Sequence, residues 1–124
     1  MGLFFLIMYN FGVMDINELT QIMHKFVEDK GWYRPDSLRP QTPKNLATSL
    51  SIEAAEVLEH FQWTDHPPDP ARLASELADV TLYLLQLASI LDIDLEEAIL
   101  DKLAVNYKRE WDQNLKGNMS INED

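Results

Sequence analysis

Residues 69–91 read DPARLASELADVTLYLLQLASIL, and the periodicity of this stretch decides the fold. Asp69 is a helix N-cap side chain, and Pro70 falls at the first helical position, where its missing N–H costs nothing. From there Leu73, Leu77, Val80, Leu84, Leu87 and Leu91 recur at three and four and line one helical face. Ala78, Leu82, Leu85 and Ala88 fill much of the opposite side, and no charge follows Asp79 until Asp92. A helix apolar nearly all round is buried on more than one side. Glu76 and Asp79 cut the uninterrupted apolar run to about a dozen residues, too short for a membrane span. A small helical chain can hardly surround such a helix alone, so oligomerisation is expected, with this helix near the interface.

Working outward, the pattern stays helical and strand-like alternation is missing. A first helix is predicted over about 15–29, with Asp15 and Glu18 as a capping box and Gly31 as the stop. Its buried stripe is Ile16, Leu19, Ile22, Met23, Phe26 and Val27. A loop with three prolines and the run Trp32-Tyr33-Arg34 leads to a second helix over about 43–63. The loop aromatics suit either ligand contact or a plug over the core. Asp65-His66-Pro67-Pro68 breaks the chain before the third helix. Asp94 and Glu97 cap a fourth, which runs to about 114. The fold class is therefore all-α, a four-helix bundle that shares helices across a subunit interface. Residues 15–114 form its one domain, 1–14 an apolar extension and 115–124 a flexible tail.

The whole chain has 124 residues, enough for one domain. Its net charge of −11 repels polynucleotide backbones, so a nucleic acid polymer is not an expected partner, nor is a membrane. A small anionic substrate stays possible, because a bound dication reverses the field inside a single cavity. Cysteine is absent, which excludes disulfides, zinc–thiolate sites and thiol nucleophiles and fits a cytoplasmic location. Residues 1–14 (MGLFFLIMYNFGVM) have neither the basic leader nor the small-residue cleavage site of a signal peptide. They read as an extension before a natural start at Met14, or as a tail packed on a neighbouring subunit.

Two acidic pairs carry the chemistry. Glu53 and Glu56 sit one turn apart on the second helix, as do Glu76 and Asp79 on the third. A short Pro-rich turn joins these helices, so they should pack antiparallel with their acidic pairs face to face. Each pair borders an apolar stripe. Four converging carboxylates repel one another and resist desolvation, so protons or cations must neutralise them. An all-oxygen set selects Mg²⁺, Mn²⁺ or Ca²⁺, and Mg²⁺ typically borrows oxygens from a substrate's phosphates. The plainer explanation of each pair is a solvated helix face. Di-iron bundles use Glu-x-x-His, and none of His24, His60 and His66 lies three residues after a glutamate.

Lys102, Asn106 and Arg109 share a face of the fourth helix with Leu95, Ala98 and Ile99, which suits phosphate oxygens. Arg109 could equally complement the helix macrodipole. Asn45 and Ser49 extend the acidic stripe of the second helix toward its start. Trp63 ends that stripe, either to stack on a base or to close the helix against the core.

Glu53-Ala-Ala-Glu56 followed by Glu76-Leu-Ala-Asp79 resembles the E-x-x-E…E-x-x-D signature of the all-α NTP pyrophosphatase superfamily, the MazG-like proteins. Pro43-Lys-Asn-Leu46, Phe61-Gln-Trp63, Asp79-Val-Thr-Leu-Tyr83, Ile93-Asp-Leu, Lys102 and Asn106 extend the resemblance, which covers about 16–109. It implies Mg²⁺-dependent hydrolysis of nucleoside triphosphates to monophosphate and pyrophosphate, in dimers or dimer-of-dimers tetramers. Glu53, Glu56, Glu76 and Asp79 would hold the metal, and an acid of the first pair would orient or deprotonate water. Tyr83, Lys102 and Asn106 would hold the nucleotide, and Trp63 would line the base site. Some relatives carry a histidine where this chain has Gln41, a departure that bears on base preference. Alternatives are a phosphoribosyl-ATP pyrophosphohydrolase and a non-catalytic, nucleotide-sensing oligomer. House-cleaning of dCTP or dATP is the leading expectation.

Overall fold

A computed structural model describes residues 12–110. Among them the chain forms four helices and no strand: α1 (Ile16–Asp29), α2 (Pro43–Glu59), α3 (Pro70–Ile90) and α4 (Leu95–Lys108). The expectations for 1–14 and 115–124 fall almost wholly outside the described residues.

The helix starts follow local side-chain chemistry. Asp15, Asp69 and Asp94 accept hydrogen bonds from the amides of Glu18 (2.8 Å), Arg72 (3.2 Å) and Glu97 (3.0 Å). Thr42 does the same for Asn45 at 3.2 Å, with Pro43 opening α2. Each bond satisfies one of the amides that a helix start leaves orphaned. Gly31, at φ +75°, terminates α1 in the left-handed conformation that favours glycine, and the Trp32 amide returns to the Val27 carbonyl at 3.2 Å. Asp69→Ala is expected to cost about 1 kcal/mol by removing the cap of α3. A thermal melt should register this as a midpoint lowered by about 3–6 °C; an unchanged midpoint would show that the cap contributes nothing.

Two helix ends depart from expectation. α2 stops at Glu59 rather than near Trp63, because the amides of His60, Phe61 and Gln62 turn back to carbonyls three residues earlier. Such bonds tighten the last turn and end the α-helical ladder. α4 stops at Lys108, where Arg109 turns to extended backbone at ψ 139°.

α3 is the central element, touching α1, α2 and α4. It is long and apolar enough to cross a membrane by length and composition, yet it carries Glu76, Asp79 and Gln86 and packs against the other three helices. Among the described residues the buried apolar set is small: Met23 and Val27 of α1, Leu46 of α2, Leu85 and Ala88 of α3. The expected Leu73–Leu91 stripe is only partly covered. Leu73, Val80 and Leu87 are half-buried, while Leu77, Leu84 and Leu91 are 49%, 41% and 48% exposed. Likewise, Leu19 and Phe26 of the α1 stripe are exposed toward a cavity rather than packed in the core. α4 buries no residue, so its Leu95–Ile99 side does not close over the bundle as an inward face.

Candidate active site

α2 and α3 are antiparallel, because their contacts cross at both ends. His60, just past the end of α2, meets Glu76 near the start of α3. Gln41, just before α2, receives a hydrogen bond of 2.7 Å from Gln86 near the end of α3. Between these points the second and third helices bring the four acids together, each half-buried.

Glu53 is the focus of the cluster. One of its carboxylate oxygens, Oε2, is buried and has no hydrogen-bond partner. Loss of solvent raises its pKa most, and the neighbouring Glu56, Asp79 and Glu76 add to the effect, pushing it up to about 6. Glu76 differs from the rest, since its carboxylate lies against His60 Nε2 and both side chains are largely buried.

The acids open onto two cavities. Glu53 and Asp79 line a cavity of about 1040 Å³ that Asn45, Ser49 and Tyr83 also line. Glu56 and Glu76 line a smaller one of about 330 Å³, together with His60, Trp63 and Arg72. The acidic cluster is thus a partition between two spaces, with Asn45 and Tyr83 on one side and Trp63 on the other. Trp63 is 87% exposed, so it does not close α2 against the core. Lys102 and Arg109 are exposed and line neither cavity. Asn106 is half-buried, with a buried Oδ1 that lacks a hydrogen-bond partner.

The loop before α2 divides its roles. Trp32 lines the large cavity, with the Phe26 ring edge-on at 5.6 Å and the Arg39 guanidinium over its face at 5.5 Å. Tyr33 instead joins α1 to α3 by hydrogen bonds to His24 and Gln86. Arg39, Gln41 and Gln86 also line the large cavity, and sequence spacing did not single out Arg39 or Gln86. Gln86 had a signal: a lone carboxamide on an apolar helix, seven residues beyond Asp79.

Among the described residues, no three His, Asp or Glu side chains already close into a metal-binding group. The donor chemistry nevertheless fits a hard cation. The four acids supply only oxygen, the Glu53 Oε2 atom is buried without a partner, and the cluster's own repulsion disfavours its fully ionised form.

Comparison with known proteins identifies the family. The MazG-like family model matches residues 48–120, a span that contains all four acids. Human dCTP pyrophosphatase 1 is 32% identical over 103 residues, which are 76% of this chain and 58% of that protein. The chain therefore spans somewhat over half the length of that relative. A dATP/dGTP diphosphohydrolase of cyanophage S-2L is 35% identical over 68% of this chain and 71% of its own. A solved pyrophosphatase from Archaeoglobus fulgidus superposes with a TM-score of 0.64 at 37% identity, covering 76% of this chain and 90% of that one.

Proposed function

The chain belongs to the MazG-like family, and from that premise we propose that it hydrolyses (deoxy)nucleoside triphosphates to the monophosphate and pyrophosphate with Mg²⁺, for which Mn²⁺ can substitute. The observation that carries this reading is the carboxylate partition: four half-buried acids around an unpartnered Glu53 oxygen, opening onto a large cavity with an aromatic wall. Acids crowded in this way need positive charge, and a triphosphate arrives with the dication that supplies it. When bound, Mg²⁺ would neutralise phosphate oxygens and acidify the attacking water.

The chain's own residues supply the rest. Water attacks the α-phosphorus, the bond to the β-phosphate oxygen breaks, and pyrophosphate leaves. Glu53 is the proton acceptor this reading assigns to that water, because its buried, unpartnered oxygen lies among the other three acids. Glu56, beside Glu53, helps to hold its pKa up. No covalent nucleophile is required. Tyr83 and Asn45 lie along the large cavity and are placed to hold the nucleotide. The negative cluster needs cationic help with the phosphates, and Lys102 of α4 and Arg109 just past its end are the candidates, though within one chain they line neither cavity.

The uncovered leucines of α3 and the α4 residues Ile99, Leu100 and Leu103 are 41–58% exposed. Apolar helix faces left open on this scale favour a second copy of the chain, so the same reading includes a homo-oligomer. The deciding experiment incubates the protein with each of the eight common NTPs and dNTPs plus Mg²⁺ and measures pyrophosphate. Turnover of at least one with a monophosphate product is expected. Nucleotide binding by calorimetry without any turnover would replace the enzyme by a sensor.

A further inference from the structure

A second constellation, which hydrolysis does not require, reaches the large cavity through Arg39, Gln41 and Gln86. A continuous series of side-chain hydrogen bonds ties α1, the loop and α3 together. His24 Nε2 bonds Ser89 Oγ at 2.7 Å, and His24 Nδ1 bonds the Tyr33 hydroxyl at 2.6 Å. Gln86 Nε2 donates to the Tyr33 oxygen at 3.3 Å and to Gln41 Oε1 at 2.7 Å. Gln41 Nε2 donates to the Arg39 carbonyl at 2.7 Å.

That last bond sets the polarity of its neighbours. A backbone carbonyl can only accept, so Gln41 must turn its amide nitrogen toward Arg39 and its oxygen toward Gln86. Gln86 must then answer with nitrogen. Its two N–H groups are both committed, one to Gln41 and one to Tyr33. What Gln86 has left for a ligand is its carbonyl oxygen, an acceptor and not a donor. Gln86 is 3% exposed, so the orientation is imposed inside the protein and is not averaged by solvent. Burial also lowers the pKa of His24, which keeps the imidazole neutral with one donating and one accepting nitrogen, as the series requires.

The position along α3 matters equally. Asp79, Tyr83 and Gln86 are spaced four and three, so they share a face, and all three line the same cavity. Seven residues of helix advance about 10 Å, which is the scale of a nucleoside monophosphate. Phosphates held at the Glu53–Asp79 end therefore leave the base beside Gln41 and Gln86, with Trp32 in the same wall.

We propose that Gln86, oriented by Gln41 and Tyr33, is the base-reading residue of this chain, and that its carbonyl selects bases with an amino group at pyrimidine C4 or purine C6. This inference rests on the nucleotide reading of the site. The bases it favours are cytosine and adenine over their keto counterparts, uracil and hypoxanthine. A keto oxygen facing the Gln86 carbonyl sets two acceptors against each other and leaves both without a proton.

The test compares kcat/KM for dCTP against dUTP and for dATP against dITP, pairs that differ in the amino or keto group and its ring proton. Wild-type protein should prefer the amino member of a pair by tenfold or more. Gln86→Met retains the volume and removes the acceptor, and it should reduce that ratio at least tenfold, mostly through the amino substrate. Gln41→Leu frees the Gln86 amide to rotate and should lower the ratio too, at a half-buried loop position that is easier to vary. Circular dichroism confirms that each variant is folded. A wild-type preference for the keto member, or an unchanged ratio in both folded variants, overturns the assignment while leaving the hydrolase reading intact. If wild type hydrolyses none of the four but turns over another common NTP or dNTP with Mg²⁺, the assignment alone is overturned; if it hydrolyses no nucleotide at all, the hydrolase reading fails and takes this inference with it.

Discussion

Glu53→Gln should lower kcat for triphosphate hydrolysis by about 10³-fold at neutral pH, with a far smaller change in KM. The substitution retains the shape of the side chain but removes its charge and its capacity to take a proton. Both matter at this position, because Glu53 has the buried, unpartnered oxygen at the centre of the acidic partition. The same change should stabilise the metal-free protein. Glu53 has its pKa pushed up to about 6 by loss of solvent and by Glu56, Asp79 and Glu76. A raised carboxyl pKa means that the folded state binds the proton more tightly than the unfolded chain. Its contribution to stability is present below the unfolded value of 4.5 and is lost as pH rises through about 6. At pH 7 the ionised Glu53 is therefore a net burden, of about 1 kcal/mol once solvent screening of a half-buried cluster is allowed for.

A neutral glutamine removes that burden, and its amide can donate to Glu56. The metal-free variant should melt a few degrees above wild type at pH 7, about the shift expected for 1 kcal/mol. The difference should shrink toward pH 4.5, where Glu53 is protonated in wild type as well. Loss of activity together with a gain in stability separates a functional carboxylate from a structural one, for which both quantities would fall. A variant that retains turnover within threefold of wild type would refute the role given to Glu53.

The features legible in the sequence are those whose cause is local. Asp15, Asp69 and Asp94 cap helices because a carboxylate three residues before a free amide does so in nearly any context. The acidic pairs were legible because three-residue spacing fixes a helical face, and Asn45 and Tyr83 follow from the same faces. The end of α2 was not legible, since His60 is claimed by Glu76 across the bundle and the chain tightens there. The division of the acids between two cavities depends on how α2 and α3 rotate against each other, which no single helix encodes. Gln41 stood out in the sequence as a departure bearing on base preference, but its bond to Gln86, 45 residues away, and the place of Arg39 over Trp32 arise only in the folded chain. For α4, apolar spacing suggested an inward face, but within one chain that helix meets chiefly α3 and leaves Ile99 and Leu103 exposed. Periodicity shows that a face wants cover, not whether the cover comes from the same chain.

Chelation should have the other large effect: EDTA should abolish hydrolysis, by three orders of magnitude or more, and Mg²⁺ or Mn²⁺ should restore it. Binding can be read without catalysis. A dication placed among Glu53, Glu56, Glu76 and Asp79 relieves the repulsion that raises the Glu53 pKa, so it must bind the folded state in preference to the unfolded one. The melting midpoint should therefore rise with metal concentration, by the equivalent of about 1.4 kcal/mol when free Mg²⁺ is tenfold above its dissociation constant. The cation competes with a proton at Glu53, so its apparent affinity should weaken below pH 6, falling about tenfold per unit once Glu53 is mostly protonated. In Glu53→Gln that particular pH dependence should disappear while weak binding by the three remaining acids persists. His60 Nε2 already occupies a Glu76 carboxylate oxygen, so the Glu53 and Asp79 side should dominate the affinity. Asp79→Asn is then expected to weaken Mg²⁺ more than Glu76→Gln does. Equal losses from both, or a melting midpoint indifferent to Mg²⁺ and Mn²⁺ at millimolar concentration, would mean that these acids do not act as the asymmetric cation site proposed.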